Sequence, residues 1–119
     1  RMLFLGLGTG LGSALIAESE LEPMELGHLP YRKGKTYEDY AGDAGRKRLG
    51  NKKWRKHVAD IVKQLTAALE PDTVLLGGGN VERLGKLPPK CRRGDNADAF
   101  TGGFRLWEEP RRSRRDQAL

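Results

Sequence analysis

The sequence contains a glycine cluster whose spacing is suited to binding phosphate. Gly8, Gly10 and Gly12 surround Thr9 after a short apolar run. Because glycine tolerates positive φ and leaves its amide N–H accessible, such a turn can surround phosphate oxygens, and the Thr9 hydroxyl adds a donor. The dinucleotide fingerprint fails at Ser13, and the Walker A pattern is not matched either. A structural hairpin turn is the alternative interpretation.

A second cluster consists of Gly77, Gly78 and Gly79 followed by Asn80. It lies between an apolar stretch typical of a buried strand and the predicted start of a short helix. Ligands of α/β proteins bind at the carboxyl ends of strands, and a helix start attracts phosphate or a polar group. A tight strand–helix connection without a ligand explains the same residues equally well.

Glu25 and His28, three residues apart, are the third candidate. A carboxylate accepts paired hydrogen bonds from vicinal hydroxyls, and a neutral imidazole donates or accepts one. In a turn, the two side chains can therefore converge on a polyol, although two ordinary surface residues are the alternative. His57, on a predicted long helix, is assigned a structural role only.

The elements that position these residues begin with strands. Apolar runs at 2–7 and 13–17, separated by the first glycine cluster, predict a β-hairpin. Leu21 and Met24 indicate a third strand, which Pro23 restricts to a sheet edge. The chain therefore opens as an antiparallel β-structure.

Helical signals dominate the middle of the chain. Residues 29–35 are predicted to form a loop, after which Thr36 caps a helix that passes through Gly42 and Gly45 and ends at Gly50. The next helix has the strongest periodicity, with apolar residues on one face. It covers residues 52–70, is capped by Asn51, is stopped by Pro71 and buries Trp54, Val58, Ile61, Val62, Leu65, Ala68 and Leu69.

Strands followed by helix, strand and helix predict an α/β or α+β layer fold. One domain over residues 1–109 is expected, with a disordered basic tail at 110–119, which lacks a hydrophobic pattern. The remaining predicted elements are a buried strand at 73–76, a short helix from Asn80 to Leu84, a loop at 88–95 and a helix over 97–108 opened by Asn96.

Composition limits the class of protein. The 119 residues are 37% hydrophobic and 32% charged, which allows one small core. Lone Cys91 excludes an internal disulfide framework and a zinc site of several thiolates, and it fits a reducing cytoplasm. Arg1 and the apolar residues after it resemble a secretion signal, but glycines interrupt the run and we expect no export. No apolar stretch is long enough to span a membrane.

The net charge of +6 is unevenly distributed. Residues 1–30 sum to −3, residues 31–109 to +6 and residues 110–119 to +3. A basic surface is typical of proteins with polyanionic partners. No nucleic-acid-binding motif accompanies the charge, so nucleic acid is not expected as a partner.

The order and spacing of these motifs resemble the ROK (repressor, open reading frame, kinase) family, and in particular its polyphosphate/ATP glucokinases. The resemblance covers about residues 2–109. The residues that carry it are 5–12, Glu25-Leu26-Gly27-His28, 76–80 and 96–100, with further similarity to the glucokinase branch at 23–31 and 103–107.

The resemblance implies a carboxy-terminal lobe of the ribonuclease-H-like fold that actin and sugar kinases share. It also implies transfer of phosphate from ATP or polyphosphate to the 6-hydroxyl of glucose, with magnesium in the complete enzyme. The implied phosphate loop is Gly8, Thr9, Gly10 and Gly12; the implied sugar-binding residues are Glu25, His28 and Glu38; and the implied nucleotide pocket includes Gly77, Gly78 and Gly79.

Two departures from the family change what is expected. The cysteine-rich zinc motif of many relatives is absent, which is also true of the glucokinase branch, so no zinc is predicted. The amino-terminal lobe that carries the first phosphate loop and the catalytic Asp is absent too, so no catalytic residue is assigned and the isolated chain is expected not to turn over. We expect a cytoplasmic protein that binds a hexose and its donor, contacts no membrane, and pairs with a second copy or a separate amino-terminal half.

Two questions stay open at this point. A non-catalytic sugar-binding or self-assembling module is the alternative to a kinase lobe. The basic stretch from Arg46 to Lys56 could attract polyphosphate, or it could simply be a solvated helix face.

Overall fold

The computed structural model describes residues 1–94. The predicted helix over 97–108, the basic tail at 110–119 and the motifs at 96–100 and 103–107 lie outside the described residues. Within the described part, the predicted α/β class is confirmed, because a sheet of mixed parallel and antiparallel strands packs against helices.

One sheet of five strands organises the described residues. β1 pairs antiparallel with β2, and β2 pairs antiparallel with β3, which confirms the predicted hairpin and edge strand. On its other side β1 pairs in parallel with β6, and β6 with β7. The order is therefore β3-β2-β1-β6-β7, with β1 Met2–Leu7, β2 Leu11–Ala17, β3 Glu20–Met24, β6 Thr73–Gly77 and β7 Cys91–Arg93.

Two segments predicted as loops contain strands. Within 29–35, β4 (Pro30–Arg32) and β5 (Lys35–Thr36) form a small hairpin. Within 88–95, β7 adds an edge to the sheet. Both predictions were wrong because these strands are only two or three residues long and carry mainly polar side chains, so they show no alternating pattern.

The helix predicted from Thr36 to Gly50 is two helices. α1 (Tyr37–Ala41) begins with a capping box, in which Thr36 and Asp39 exchange hydrogen bonds. The backbone of Gly42 is extended, which separates α1 from the next helix, α2 (Asp43–Leu49). A residue outside both helices holds this break in place, because the Asp43 amide donates a hydrogen bond to the carbonyl of Thr9.

α3 (Asn51–Leu69) is the predicted long helix. Its cap is Gly50 and not Asn51, which is already helical. Pro71 follows its carboxyl end, where Glu70 adopts the left-handed conformation. Of the residues predicted to be buried, Trp54, Val58, Ile61, Val62 and Leu65 are buried, whereas Leu69 is half-buried and Ala68 is exposed.

The two faces of the sheet have separate hydrophobic clusters, because successive strand residues point to opposite sides. On the larger side, Leu3, Leu5 and Leu7 pack with the buried face of α3. The opposite side carries a smaller cluster of Phe4, Ala14, Ile16 and Leu75. None of the helices within residues 1–94 is both long and apolar enough to cross a membrane.

Trp54 joins α3 to the end of α1 and provides a test of this packing. Its side chain is fully buried, and Nε1 donates a 2.9 Å hydrogen bond to the carbonyl of Ala41. Trp54→Phe leaves that carbonyl unpaired and creates a cavity, so we expect a loss of about 2 kcal/mol in the free energy of unfolding. Urea denaturation measures this loss in the free energy of unfolding. Leu29→Ala, at an exposed leucine, is the control, and an equal effect in both variants would contradict the assignment.

Candidate functional site

The two glycine clusters meet at one edge of the sheet. β1 and β6 are parallel neighbours, so the turns that follow them leave the same edge. The amide of Asn80 donates to the carbonyl of Leu7 at 2.8 Å. Gly78 has φ +91°, and a Cβ there would overlap the Leu7 backbone, so only glycine allows this approach.

The first cluster forms a three-residue connection between β1 and β2. The amide of Gly8 donates to the carbonyl of Gly10 at 3.1 Å, and Thr9 at the tip is exposed. Gly12 lies outside this turn: it belongs to β2, where it pairs with Gly6. The predicted phosphate turn therefore narrows to Gly8, Thr9 and Gly10.

The second cluster is only partly open to a ligand. Gly77 ends β6, is buried, and lies against the ring of Phe4. Gly78 is packed on Leu7, whereas Gly79 is exposed with open space around it. Of the three predicted nucleotide-pocket glycines, Gly79 is therefore the one that faces solvent.

Glu38 links the phosphate turn to the segment that carries the other candidates. Its Oε1 accepts a 2.9 Å hydrogen bond from the amide of Leu11. The same side chain packs against the backbone of Gly10 and of Gly27. Since Gly27 lies between Glu25 and His28, the fold brings the segment that carries these two residues next to Glu38 and Leu11.

Glu25 is the N-cap of a short 3-10 helix, Leu26–His28, and His28 is the last residue of that helix. Nε2 of His28 lies 3.7 Å from Oε1 of Glu25, and their side chains are 70% and 82% exposed. Both are therefore accessible, and they project from the same turn. That they converge on a polyol stays a prediction.

Ser13 holds this turn and was missed by sequence reasoning. Its hydroxyl donates to the carbonyl of Met24 at 3.0 Å and accepts from the amide of Leu26 at 3.1 Å. These bonds fix the backbone on both sides of Glu25. No sequence signal marks Ser13, because its partners are 11 and 13 residues away.

The segment after the turn is anchored to α3 by Tyr31. Its hydroxyl donates to Asp60 at 2.7 Å and lies 2.9 Å from Nδ1 of His57. Burial, with Asp60 adding to it, raises the pKa of Tyr31 to about 12, and burial lowers the pKa of His57. His57 therefore has a structural partner, which agrees with the role assigned to it from the sequence.

Asp43 joins the phosphate turn, α2 and the second glycine cluster. Its carboxylate accepts from Arg46 at 2.9 Å and Asn80 at 3.1 Å, and it pairs with Lys47 at 3.1 Å. Hydrogen bonds from Lys47, Arg46 and Asn80 lower the pKa of Asp43 to about 2. The spacing to Arg46 and Lys47 could have indicated this cluster, but the long-range contact with Asn80 could not have been predicted.

Comparisons with known proteins support this architecture. No family model matches the chain. The polyphosphate glucokinase of Mycobacterium tuberculosis is 33% identical over 91 residues, covering 74% of this chain and 34% of the relative. The chain thus spans about a third of the length of the curated relatives it matches.

Solved structures give the same assignment. The inorganic polyphosphate/ATP-glucomannokinase from Arthrobacter sp. strain KM superposes with a TM-score of 0.72 at 26% identity, over 87% of this chain and 44% of that one. In sequence and fold, the chain is similar to ROK-family glucokinases. The ROK hexokinase from Thermus thermophilus, at 21% identity and a TM-score of 0.57, covers 87% of this chain and 55% of that one and supports the fold alone.

Gly10 and Gly8 form a matched pair for testing the phosphate turn. A Cβ at Gly10 would collide with the Glu38 carboxylate, whereas one at Gly8 would meet nothing within 4 Å. Gly10→Ala should therefore displace Glu38 from the Leu11 amide and cost about 1 kcal/mol of stability. Gly8→Ala should change stability by less than about 0.5 kcal/mol. Equal unfolding midpoints in urea for the two variants would contradict this geometry.

The charge cluster at Asp43 should make stability depend on pH. Its folded pKa, about 2, lies below the ordinary 3.8, so its stabilisation is present above pH 3.8 and is lost as the pH falls through 2. At pH 7 we expect the wild type to have a higher thermal unfolding midpoint than Asp43→Asn. This difference in midpoint should disappear between pH 4 and 2. A difference in midpoint that stays constant over that pH range would show that the charge of the Asp43 carboxylate does not cause the stabilisation.

Proposed function

We propose that the chain is the carboxy-terminal lobe of a glucokinase-like sugar kinase and supplies its donor-phosphate turn and its sugar-binding residues. The observation that carries this proposal is the position of Glu38. Its carboxylate is bonded beside the phosphate turn at Leu11 and packed on Gly27 of the Glu25–His28 turn. A donor phosphate and a sugar hydroxyl held by these two turns would be neighbours.

The chain's part in the reaction is positioning. Phosphoryl transfer depends mainly on alignment and charge stabilisation. The exposed Thr9 hydroxyl and the amides of the phosphate turn would receive donor oxygens. Glu25, His28 and the free oxygen of Glu38 would hold sugar hydroxyls, which orients the glucose 6-hydroxyl toward the phosphate. Holding both reactants in line lowers the entropic part of the barrier.

A general base is not part of this proposal. The ideal base has a pKa near the working pH. Asp43, whose amide contacts the phosphate turn, has a pKa of about 2 and is already paired with Arg46 and Lys47. Glu38 is bonded to a backbone amide. We therefore expect the isolated chain to bind but not to catalyse, with the base supplied by another polypeptide segment.

Magnesium belongs to the complete enzyme in this proposal. Within residues 1–94, no three His, Cys, Asp or Glu side chains are grouped as a metal site requires. The carboxylate of Asp43 is occupied by cations. The absence of zinc stays a prediction.

The donor is proposed to be ATP or polyphosphate, as the names of the relatives suggest. Gly79 is placed to border a nucleotide at the end of β6. Gly77 and Gly78 shape the strand end instead, since each packs against neighbouring residues. A cytoplasmic location, and assembly with a second copy or a separate amino-terminal half, complete the proposal.

Glucose binding by the 119-residue chain tests the sugar site. Glu25→Gln removes a charged acceptor, so calorimetry should show glucose affinity falling by about tenfold or more, since hydrogen bonds to charged groups contribute about 1.5–3 kcal/mol. Glu22→Gln, at an exposed carboxylate on the adjacent edge strand, is the matched control and should bind as the wild type does.

Two results would contradict the proposal. Equal glucose affinity in the Glu25→Gln and Glu22→Gln proteins would remove Glu25 from the sugar site. Formation of glucose 6-phosphate by the purified chain alone, abolished by Glu25→Gln, would keep the sugar site but show that the chain contains its own base.

A further inference from the structure

Ser13 is a polar residue in an otherwise apolar row of β2. Residues two apart on a strand point to the same face of the sheet, and Leu11 and Leu15, on either side of Ser13, pack in the larger hydrophobic cluster. A hydroxyl on that face is unfavourable unless it is hydrogen-bonded. Both hydrogen bonds that Ser13 makes go to the turn that carries Glu25. These contacts, and not apolar packing, explain a serine at this position.

The two hydrogen bonds hold the peptide units on either side of Glu25. The Ser13 hydroxyl donates to the carbonyl of Met24, the last residue of β3, and accepts from the amide of Leu26. Between these two bonds, Glu25 has φ −119° and ψ 46°, a conformation that belongs to neither a strand nor a helix. Because φ and ψ set the direction of the Cα–Cβ bond, Ser13 also sets the direction in which the Glu25 side chain leaves the backbone.

The Glu25 carboxylate is not used to cap its own turn. Glu25 occupies the N-cap position of the 3-10 helix Leu26–His28, where a side chain ordinarily accepts a hydrogen bond from an amide of the first turn. Its side chain makes no such bond and is 82% exposed. The first amide of that helix, at Leu26, is bonded to Ser13 instead. The carboxylate therefore remains available for a ligand.

β2 connects Ser13 to the phosphate turn. Ser13 lies three residues after Gly10, which corresponds to about 10 Å along an extended strand. The start of the strand is held by Glu38, which accepts from the Leu11 amide. β1 and β3 pair with β2 on its two sides. Through this strand, Ser13 keeps the Glu25 turn at a fixed distance from the phosphate turn.

We propose that Ser13 is a positioning residue of the sugar site, whose hydroxyl orients the Glu25 carboxylate toward a sugar hydroxyl at a fixed distance from the phosphate turn. This rests on the proposed function, because it takes Glu25 as a sugar-binding residue. Ser13 acts through Glu25 and does not contact the sugar itself.

The test compares single and double variants of the 119-residue chain. Ser13→Ala removes both hydrogen bonds, and Ser13→Thr keeps a hydroxyl on a residue type that strands favour. Ser19→Ala removes an exposed hydroxyl from the turn between β2 and β3, at the other end of the same strand, and is the matched control. Glucose affinity is measured by calorimetry for each variant, alone and combined with Glu25→Gln.

We expect Ser13→Ala to lower glucose affinity by about tenfold, because a misdirected carboxylate loses most of the hydrogen bonding that it offers to a sugar. Ser13→Thr and Ser19→Ala should bind glucose as the wild type does. In the Glu25→Gln protein, Ser13→Ala should cause no further loss of affinity, because two residues that act through one contact are not additive.

Hydrogen exchange tests the positioning without a sugar. The Leu26 amide should exchange faster in Ser13→Ala than in the wild type or Ser13→Thr, and this increase should exceed the increase at the amides of β1 and β6. An equal increase at all of these amides would show that Ser13 stabilises the sheet as a whole, and it would overturn a specific role at the Glu25 turn.

Two results with glucose would also overturn the proposal. One is wild-type affinity in Ser13→Ala, and the other is a loss of affinity that adds in full to that of Glu25→Gln, since in both cases Ser13 does not act through Glu25. If glucose binds through Glu25 while Ser13→Ala has no effect, the proposed function stands and only the role of Ser13 is wrong. If the wild type does not bind glucose, the sugar site of the proposed function is wrong, and the role of Ser13 is wrong with it.

Discussion

The parallel pairing of β1 with β6 is the constraint on which the candidate site depends. The two strands are far apart in sequence, with the four strands β2 to β5 and the helices α1 to α3 between them. Their pairing places the turns after Leu7 and Gly77 at one sheet edge, where Asn80 bonds back to Leu7. Gly78 permits that approach because its backbone has positive φ and a Cβ would overlap the neighbouring strand. Without this pairing, the connection Gly8–Thr9–Gly10 would have no second glycine turn beside it.

Side-chain interactions connect that edge of the sheet to the rest of the candidate site. Asp43 connects the phosphate turn to α2 and to Asn80, and Glu38 connects it to the turn that carries Glu25 and His28. The Asp43 carboxylate accepts hydrogen bonds from several donors, whereas Glu38 accepts one, from the Leu11 amide, and keeps its second oxygen for a ligand in the proposed function. Both carboxylates hold backbone turns in place next to Gly8, Thr9 and Gly10.

The sequence predicted the elements with strong periodicity and missed those fixed by distant contacts. The hairpin, α3 and the buried strand were foreseen because apolar spacing marks each of them. The break at Gly42 was not, since it is imposed by the Thr9 carbonyl. The same holds for the site: Glu25 and His28 are recognisable by local spacing, while Ser13 and Asp43 act through partners that only the folded chain brings near.

The exposure of Glu25 and His28, the proposed sugar-binding residues, limits what their hydrogen bonds can contribute. Glu25 and His28 are 82% and 70% exposed, so water competes for every hydrogen bond that a sugar hydroxyl could make with them. Hydrogen bonds of this kind contribute little net free energy until water is excluded. Under the proposed function, a second surface closing over the turn would exclude this water and would bring the general base. The described residues would then orient the ligands, and the rate of transfer would depend on the surface that closes against them.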